Sequence, residues 1–204
     1  MAGRKQFDVD AALDQAMTVF WERGYTATTV DDLTAATGLG RSSLYATFGD
    51  KEALFLACLE RYARRYGELY DAALANAAED PSEAVAAFFD VTLDRIADPS
   101  RPDGCLVAQT VMTAPSLPVA VAARASALVG HQRGRLRRAL DSAPVASARR
   151  DDLALHLAAV NQSLAVLSRG GAAATDLRAV VAVALVPVQQ ALAAVPGRCG
   201  GTEQ

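Results

Sequence analysis

Arg41, Ser42, Ser43, Tyr45 and Thr47 bring hydrogen-bonding side chains together in one short segment. The stretch from Gly38 to Gly49 that holds them has an arginine and no acid. Such side chains suit a duplex major groove, where a guanidinium matches the paired acceptors of guanine and hydroxyls reach phosphate oxygens. Arg41 is assigned to base edges. Thr29, Ser43, Tyr45 and Lys51 are assigned mainly to the DNA backbone, and Gly40, Ser42 and Thr47 complete the contacting set. Two of these positions have plainer readings. Tyr45 either touches phosphate or packs, and Lys51 either meets phosphate beside the outward-pointing amides of a helix start or stands solvated.

The elements that must present this set are short helices with clear punctuation. Thr29 with Asp32 three residues on is an acid variant of the capping box, so a helix begins near Val30. Val30, Leu33 and Ala36 or Thr37 share its inner face, and Gly38 ends it by accepting a positive φ. Gly38-Leu39-Gly40 forms the turn, with Leu39 tucked between helices. Arg41 to Phe48 then makes a second helix whose Leu44 and Phe48, at i and i+4, face inward. A preceding helix spans Phe7 to Arg23, with Asp8 as cap, Leu13, Ala16, Met17 and Phe20 on one stripe, and Gly24 at its end. Trp21 and Tyr25 read as packing aromatics. The arrangement is a helix-turn-helix.

From Phe7 to Tyr62 the sequence resembles the N-terminal domain of the TetR/AcrR family of bacterial one-component repressors. The resemblance rests on A-x-x-x-F-W-x-x-G-Y (Ala16 to Tyr25), T-x-x-D-L (Thr29 to Leu33), G-x-x-x-S-S-L-Y-x-x-F (Gly38 to Phe48) and G-D-K-E-x-L-F (Gly49 to Phe55). It implies an all-α homodimer that binds a roughly palindromic double-stranded operator and is released by a small-molecule effector. It also implies that the long helix opening at Lys51 transmits a ligand-driven tilt to the reading unit.

Composition bounds the rest. The chain has 204 residues, 51% of them apolar, which suits a packed globule. Its longest apolar run, Ala179 to Val188, is well short of the about 20 residues a bilayer crossing needs, and MAGRKQFDVD lacks a signal-peptide core. No membrane partner is therefore expected, and a cytoplasmic location is. Cys58, Cys105 and Cys199 lack metal spacing and fit a reducing compartment. His131 and His156 have no companion ligands, so no metal is expected. No nucleophile-base set or phosphate loop is present, and neither catalysis nor a cofactor is expected. The net charge of −3 and pI of 5.4 do not announce a nucleic-acid binder. Placement answers this: Arg4 and Lys5 lie on an N-terminal arm, whereas Asp8, Asp10, Asp14, Asp31, Asp32 and Glu52 fall in first helical turns.

The fold expected is all-α with about nine helices. An N-terminal three-helix DNA-binding domain spans 1–50, a helical ligand-binding and dimerisation domain 51–198, and a tail 199–204. A helix from Lys51 to about Ala78 is followed by one that Asp80 and Pro81 open and that runs to about Ala97. A loop, Asp98 to Gly104, leads into a helix ending near Thr113. Ala114 to Pro118 breaks the pattern, and Val119 to Leu140 resumes it, ending in arginines read as a solvated last turn. Ala143 to Ala148 is read as a linker. The ligand cavity is placed among Tyr62, Phe88, Phe89, Cys105, Leu106 and Met112, favouring an apolar or aromatic effector.

Cys105 has two readings. It is a small buried hydrophobe, or, as some relatives imply, a sensor of oxidants or electrophiles. The last helices, Asp151 to Arg169 and Asp176 to Val195, carry the dimer expectation: Leu153, Leu157, Val160, Leu164, Leu177, Val181, Leu185 and Val188 would meet a symmetry mate in a four-helix bundle. Pro187 is expected to kink the last helix. The alternatives are a helical ligand-binding or protein-interaction module that does not read DNA, suggested by the acidic balance, and a redox or electrophile sensor acting through Cys105.

Overall fold

Asp8 opens the fold as a cap, its carboxylate accepting from the Asp10 and Ala11 amides. The computed structural model describes residues 8–193, so Arg4, Lys5, Cys199 and the tail lie outside the described residues. α1 (Val9–Ala27) breaks at Gly24, with φ 78° and ψ 168°, and then completes one further turn, so Gly24 interrupts the helix instead of closing it. α2 (Val30–Thr37) begins at a complete Thr29–Asp32 capping box and ends at Gly38 in the left-handed region. α3 (Arg41–Phe48) and α4 (Lys51–Asn76) follow, the second capped by Asp50. α5 (Pro81–Ala97) has the Asp80 cap and Pro81 in its first turn.

α6 (Leu106–Met112) is short, and a 3-10 turn (Ala114–Ser116) separates it from α7 (Val119–Ala139). α8 (Ser147–Arg169) starts a turn before the expected Asp151, because Ser-Ala-Arg-Arg contains nothing that stops a helix. The expected linker is shorter accordingly. α9 (Ala174–Ala193) runs through Pro187. Among the described residues all regular structure is helical.

One core runs through the whole assembly. Phe20 packs edge-on against Phe55 with ring centroids 4.7 Å apart, and Trp21 meets Tyr62 at 5.0 Å and 84°. Aromatic surface from α1 is thus buried on α4, across the boundary expected at residue 50. Asp14 reinforces the joint by accepting from Arg61 at 2.7 Å and Arg65 at 3.1 Å. Deeper in, a polar chain crosses four helices. Tyr70 and Thr92 hydroxyls lie 2.8 Å apart, Thr92 donates to Asn161 Oδ1 at 2.7 Å, and Asn161 Nδ2 donates to Gln132 Oε1 at 3.1 Å.

The dimer stripe needs correction. Leu153, Leu157, Leu164, Leu177, Val181 and Val188 are buried in the chain's own core, and Val160 and Leu185 are half-buried. The most regular apolar stripe on a helix is the one its own protomer covers, so periodicity selected the inner face. The large apolar side chains left exposed on α8 and α9 are Leu155, Val166, Leu167, Val183 and Val186, with Val183 at 71%. By length and composition α9 also suffices to cross a bilayer. The unbroken run Ala179 to Val188 had understated this.

Candidate nucleic-acid interface

α3 is anchored by one residue and offers most of the rest. Leu44 is fully buried and Phe48 half-buried, while Arg41, Ser42, Ser43 and Thr47 are exposed and Tyr45 is half-buried at the edge. Gly40 stands at the N-cap and gives α3 no side-chain cap, so the first backbone amides of α3 are left to an outside acceptor. Leu39, in the turn before α3, is half-buried against the core.

The neighbours of α3 divide into those already engaged and those free. The Thr29 hydroxyl is committed to the capping box, accepting from the Asp32 amide at 3.1 Å and donating to Asp32 Oδ2 at 2.7 Å. The Thr29 backbone N–H, donating to Asp32 Oδ2 at 2.8 Å, and the Thr29 hydroxyl, with Arg23 beside them, hold the Asp32 carboxyl below its usual range. Thr47 donates to Ser43 carbonyl oxygen at 2.8 Å. Lys51 Nζ sits 4.6 Å from the Tyr25 ring centroid, and partial burial lowers its affinity for a proton. Tyr25, read as packing only, therefore also orients a cation at the edge of the reading surface. One acid was not anticipated here: Asp31 Oδ1 lies 3.5 Å from Arg41 Nη2, both side chains largely in solvent.

The expected ligand residues are brought together only in part: Cys105 and Met112 share a cleft and Tyr62 touches Cys105, but the others do not join them. Phe88 and Phe89 are fully buried and Leu106 nearly so. Phe88 stacks on Tyr70 at 4.3 Å, so these side chains are packed core and not cavity wall. The space instead divides in two. A cavity of about 360 Å³ between α4 and α7 is lined by Tyr62, Tyr66, Tyr70, Gln132, Arg64 and Arg124 among others. A cleft of about 260 Å³ between α6 and α8 is lined by Cys105, Ala108, Gln109, Met112, Ala165, Val166 and Arg169. Met112, 67% exposed, stands at the rim of the cleft. The arginines closing α7 are more than a solvated turn, since Arg135 pairs with Asp71 at 2.7 Å and Arg137 with Asp151 at 2.5 Å.

Cys105 is the N-cap of α6, and its Sγ accepts from the Tyr62 hydroxyl at 3.3 Å and the Ala108 amide at 3.5 Å. Cys58 is sealed in the core, where burial pushes its thiol far up. Sequence reasoning missed Arg169. It ends α8, where a basic residue reads as a dipole complement, and no local signal indicates the long reach described below.

Comparison with known proteins follows the same division. Residues 12–58 match the family model described as bacterial regulatory proteins, tetR family. The chain is 39% identical over 109 residues to the HTH-type transcriptional repressor ComR of Escherichia coli K12, which covers 53% of this chain and 52% of that protein. It is 34% identical over 110 residues to the HTH-type transcriptional regulator YezE of Bacillus subtilis 168, covering 52% and 55%. These matches span about half the length of the curated relatives. Whole-chain similarity comes from a solved structure. A cysteine-substituted form of the TetR family transcriptional regulator CifR, complexed with 26-base-pair double-strand operator DNA, superposes with a TM-score of 0.77 at 32% identity, over 94% of this chain and 98% of that one.

Proposed function

The chain belongs to the TetR family of bacterial regulatory proteins, and from that premise we propose that it is an effector-responsive transcriptional repressor acting in the cytoplasm as a homodimer. The observation that carries this reading is α3: Arg41, Ser42, Ser43 and Thr47 stand exposed beside an N-terminus that has no side-chain cap. Arg41 contacts bases, while Ser43, Tyr45, Lys51 and the α3 amides receive phosphates. Two copies place two such helices in successive major grooves, about 34–36 Å apart on a roughly palindromic site. The second copy covers the exposed valines of α9 together with Leu155 and Leu167 of α8. Its relative CifR was solved on operator DNA, which supports this assignment by similarity.

Selection from random duplexes, followed by a mobility shift with the recovered sequence, tests the reading. A single palindromic consensus bound at two chains per duplex is the expected result. No enriched sequence would favour a helical module that does not read DNA. A second reading, in which Cys105 responds to electrophiles, is favoured by the position of this thiol on the wall of the α6–α8 cleft. Under it, an alkylating reagent releases the operator from the wild type and not from Cys105→Ser.

A further inference from the structure

Arg169, the last residue of α8, reaches across the molecule to the end of α1. Its Nη2 donates to the Glu22 carbonyl oxygen at 2.6 Å, and its Nη1 lies 3.2 Å from the Trp21 carbonyl oxygen, 2.8 Å from Gln109 Oε1 and 3.5 Å from the Asp103 carbonyl oxygen. The Trp21 indole N–H donates to that same Asp103 carbonyl at 3.2 Å. The joint is tight: a Cβ on Gly24 would lie 2.9 Å from Gln109 Nε2, and one on Gly104 would lie 3.1 Å from the Ala165 carbonyl. One guanidinium thus ties the DNA-binding end of α1, the loop before α6 and the end of α8.

All of these acceptors are neutral carbonyl or amide oxygens, and the same guanidinium lines the α6–α8 cleft. Arg169 is exposed, and the protein offers its guanidinium only neutral acceptors; such a cation gains from an anion, because charge-assisted bonds are roughly twice as strong and a carboxylate accepts both guanidinium nitrogens at once. The remaining wall is mostly apolar, formed by Ala108, Met112, Ala165 and Val166. We propose that the α6–α8 cleft is an effector site for a small organic monocarboxylate with an apolar body, and that Arg169 receives its carboxylate. The inference rests on the effector-responsive reading above.

An occupant that takes Nη1 and Nη2 withdraws them from the Trp21 and Glu22 carbonyls. The last turns of α1 beside Gly24 lose their tether to α8, and α1 carries α2 and α3. The ligand binds the untethered state better, which is the differential affinity a switch requires.

Trp21 is the single tryptophan of the chain and makes two of these contacts, so its emission reports the tether directly. Full-length protein is titrated with benzoate and with hexanoate, and in parallel with benzyl alcohol and 1-hexanol, following Trp21 emission and affinity for the selected operator. At least one acid is expected to change the emission saturably and weaken operator binding by about tenfold, with neither alcohol doing so. Arg169→Gln should abolish the response and Arg169→Lys should keep it at weaker affinity. Val166→Glu, on the exposed cleft wall, should place a carboxylate beside Arg169 and shift Trp21 emission without added acid, which keeps the test valid if Arg169→Gln does not fold. The proposal is overturned if neither acid moves Trp21 emission, if the alcohols act equally, or if Arg169→Gln responds like the wild type. The Trp21 readout decides the cleft whether or not an operator is bound, so loss of the DNA reading is scored separately.

Discussion

The Tyr62 hydroxyl donates to Cys105 Sγ at 3.3 Å, linking a wall residue of the α4–α7 cavity to a wall residue of the α6–α8 cleft. Burial pushes the Tyr62 phenol well above its ordinary value, so it stays protonated and serves as donor. The interior expected to be one apolar pocket is therefore two spaces with different chemistry. One sets arginines beside tyrosine rings, and the other is mostly apolar with the Cys105 thiol and Arg169.

The two described thiols differ in access. Cys105 is 6% exposed at the cleft, whereas Cys58 is fully buried and held protonated by desolvation. Iodoacetamide on the native protein should therefore modify Cys105 at least about tenfold faster than Cys58, with Cys58 reacting only after unfolding. Peptide mass spectrometry over a time course reads this, and equal rates would remove the distinction.

Arg41 and Lys51 should fail differently. Arg41→Ala is expected to cost about 1–3 kcal/mol on the selected operator and to relax preference at one position per half-site. Lys51→Ala should weaken all sequences alike and reduce the salt slope by about one per chain. Competition binding across single-base operator variants at two salt concentrations separates the two.

Asp31 is expected to oppose operator binding. It stands 3.5 Å from Arg41 at the start of α2, so the proposed contacts of Arg41 would compete with an existing ion pair. Asp31→Asn should tighten operator binding by about threefold to tenfold, in keeping with the about 0.2–1 kcal/mol typical of an exposed pair plus relief of repulsion from phosphate. Unchanged affinity at low salt would show that Asp31 faces away from the duplex.

Val183, the most exposed valine of α9, should matter only to the assembly. Val183→Glu leaves the packing of a single chain untouched but puts charge into the face proposed to meet a second copy. Light scattering should report a monomer with unchanged helical content and with operator affinity reduced at least about tenfold, since one reading helix is lost from each bound unit.

Acid should loosen the joint between α1 and α4. The Arg61 hydrogen bonds, with Arg65 beside them, hold the Asp14 carboxyl below its usual 3.8. A depressed folded value means this stabilisation is complete above 3.8 and disappears as pH falls through the lower folded value. Asp14→Asn should lower Tm at pH 7 by about 2–4 °C, the shift expected of roughly 1 kcal/mol in a chain of this size. The difference from wild type should shrink as pH falls below 3.8 and vanish once pH is below the lowered folded value. Calorimetry across pH 2–7 tests both statements.

What could be read along the chain was whatever neighbouring residues decide among themselves. The Asp8 cap, the Thr29–Asp32 box, Gly38 in the left-handed region and the Asp80–Pro81 start each involve groups a few residues apart, and the structure places each where its spacing predicts. The outward face of α3 was legible for the same reason, since Leu44 and Phe48 mark its inner side. Which face of α8 and α9 stays uncovered was not legible. Leu157 and Leu155 are equally apolar, and only the packing of other helices on α8 buries the first and leaves the second exposed. Nor could sequence show that Phe88 and Phe89 pack into the core instead of lining a cavity, or that Arg169 ends on the Trp21 and Glu22 carbonyls. Local hydrogen bonding is set by sequence distance, whereas burial and long-range charge contacts are set by which helices the completed fold brings side by side.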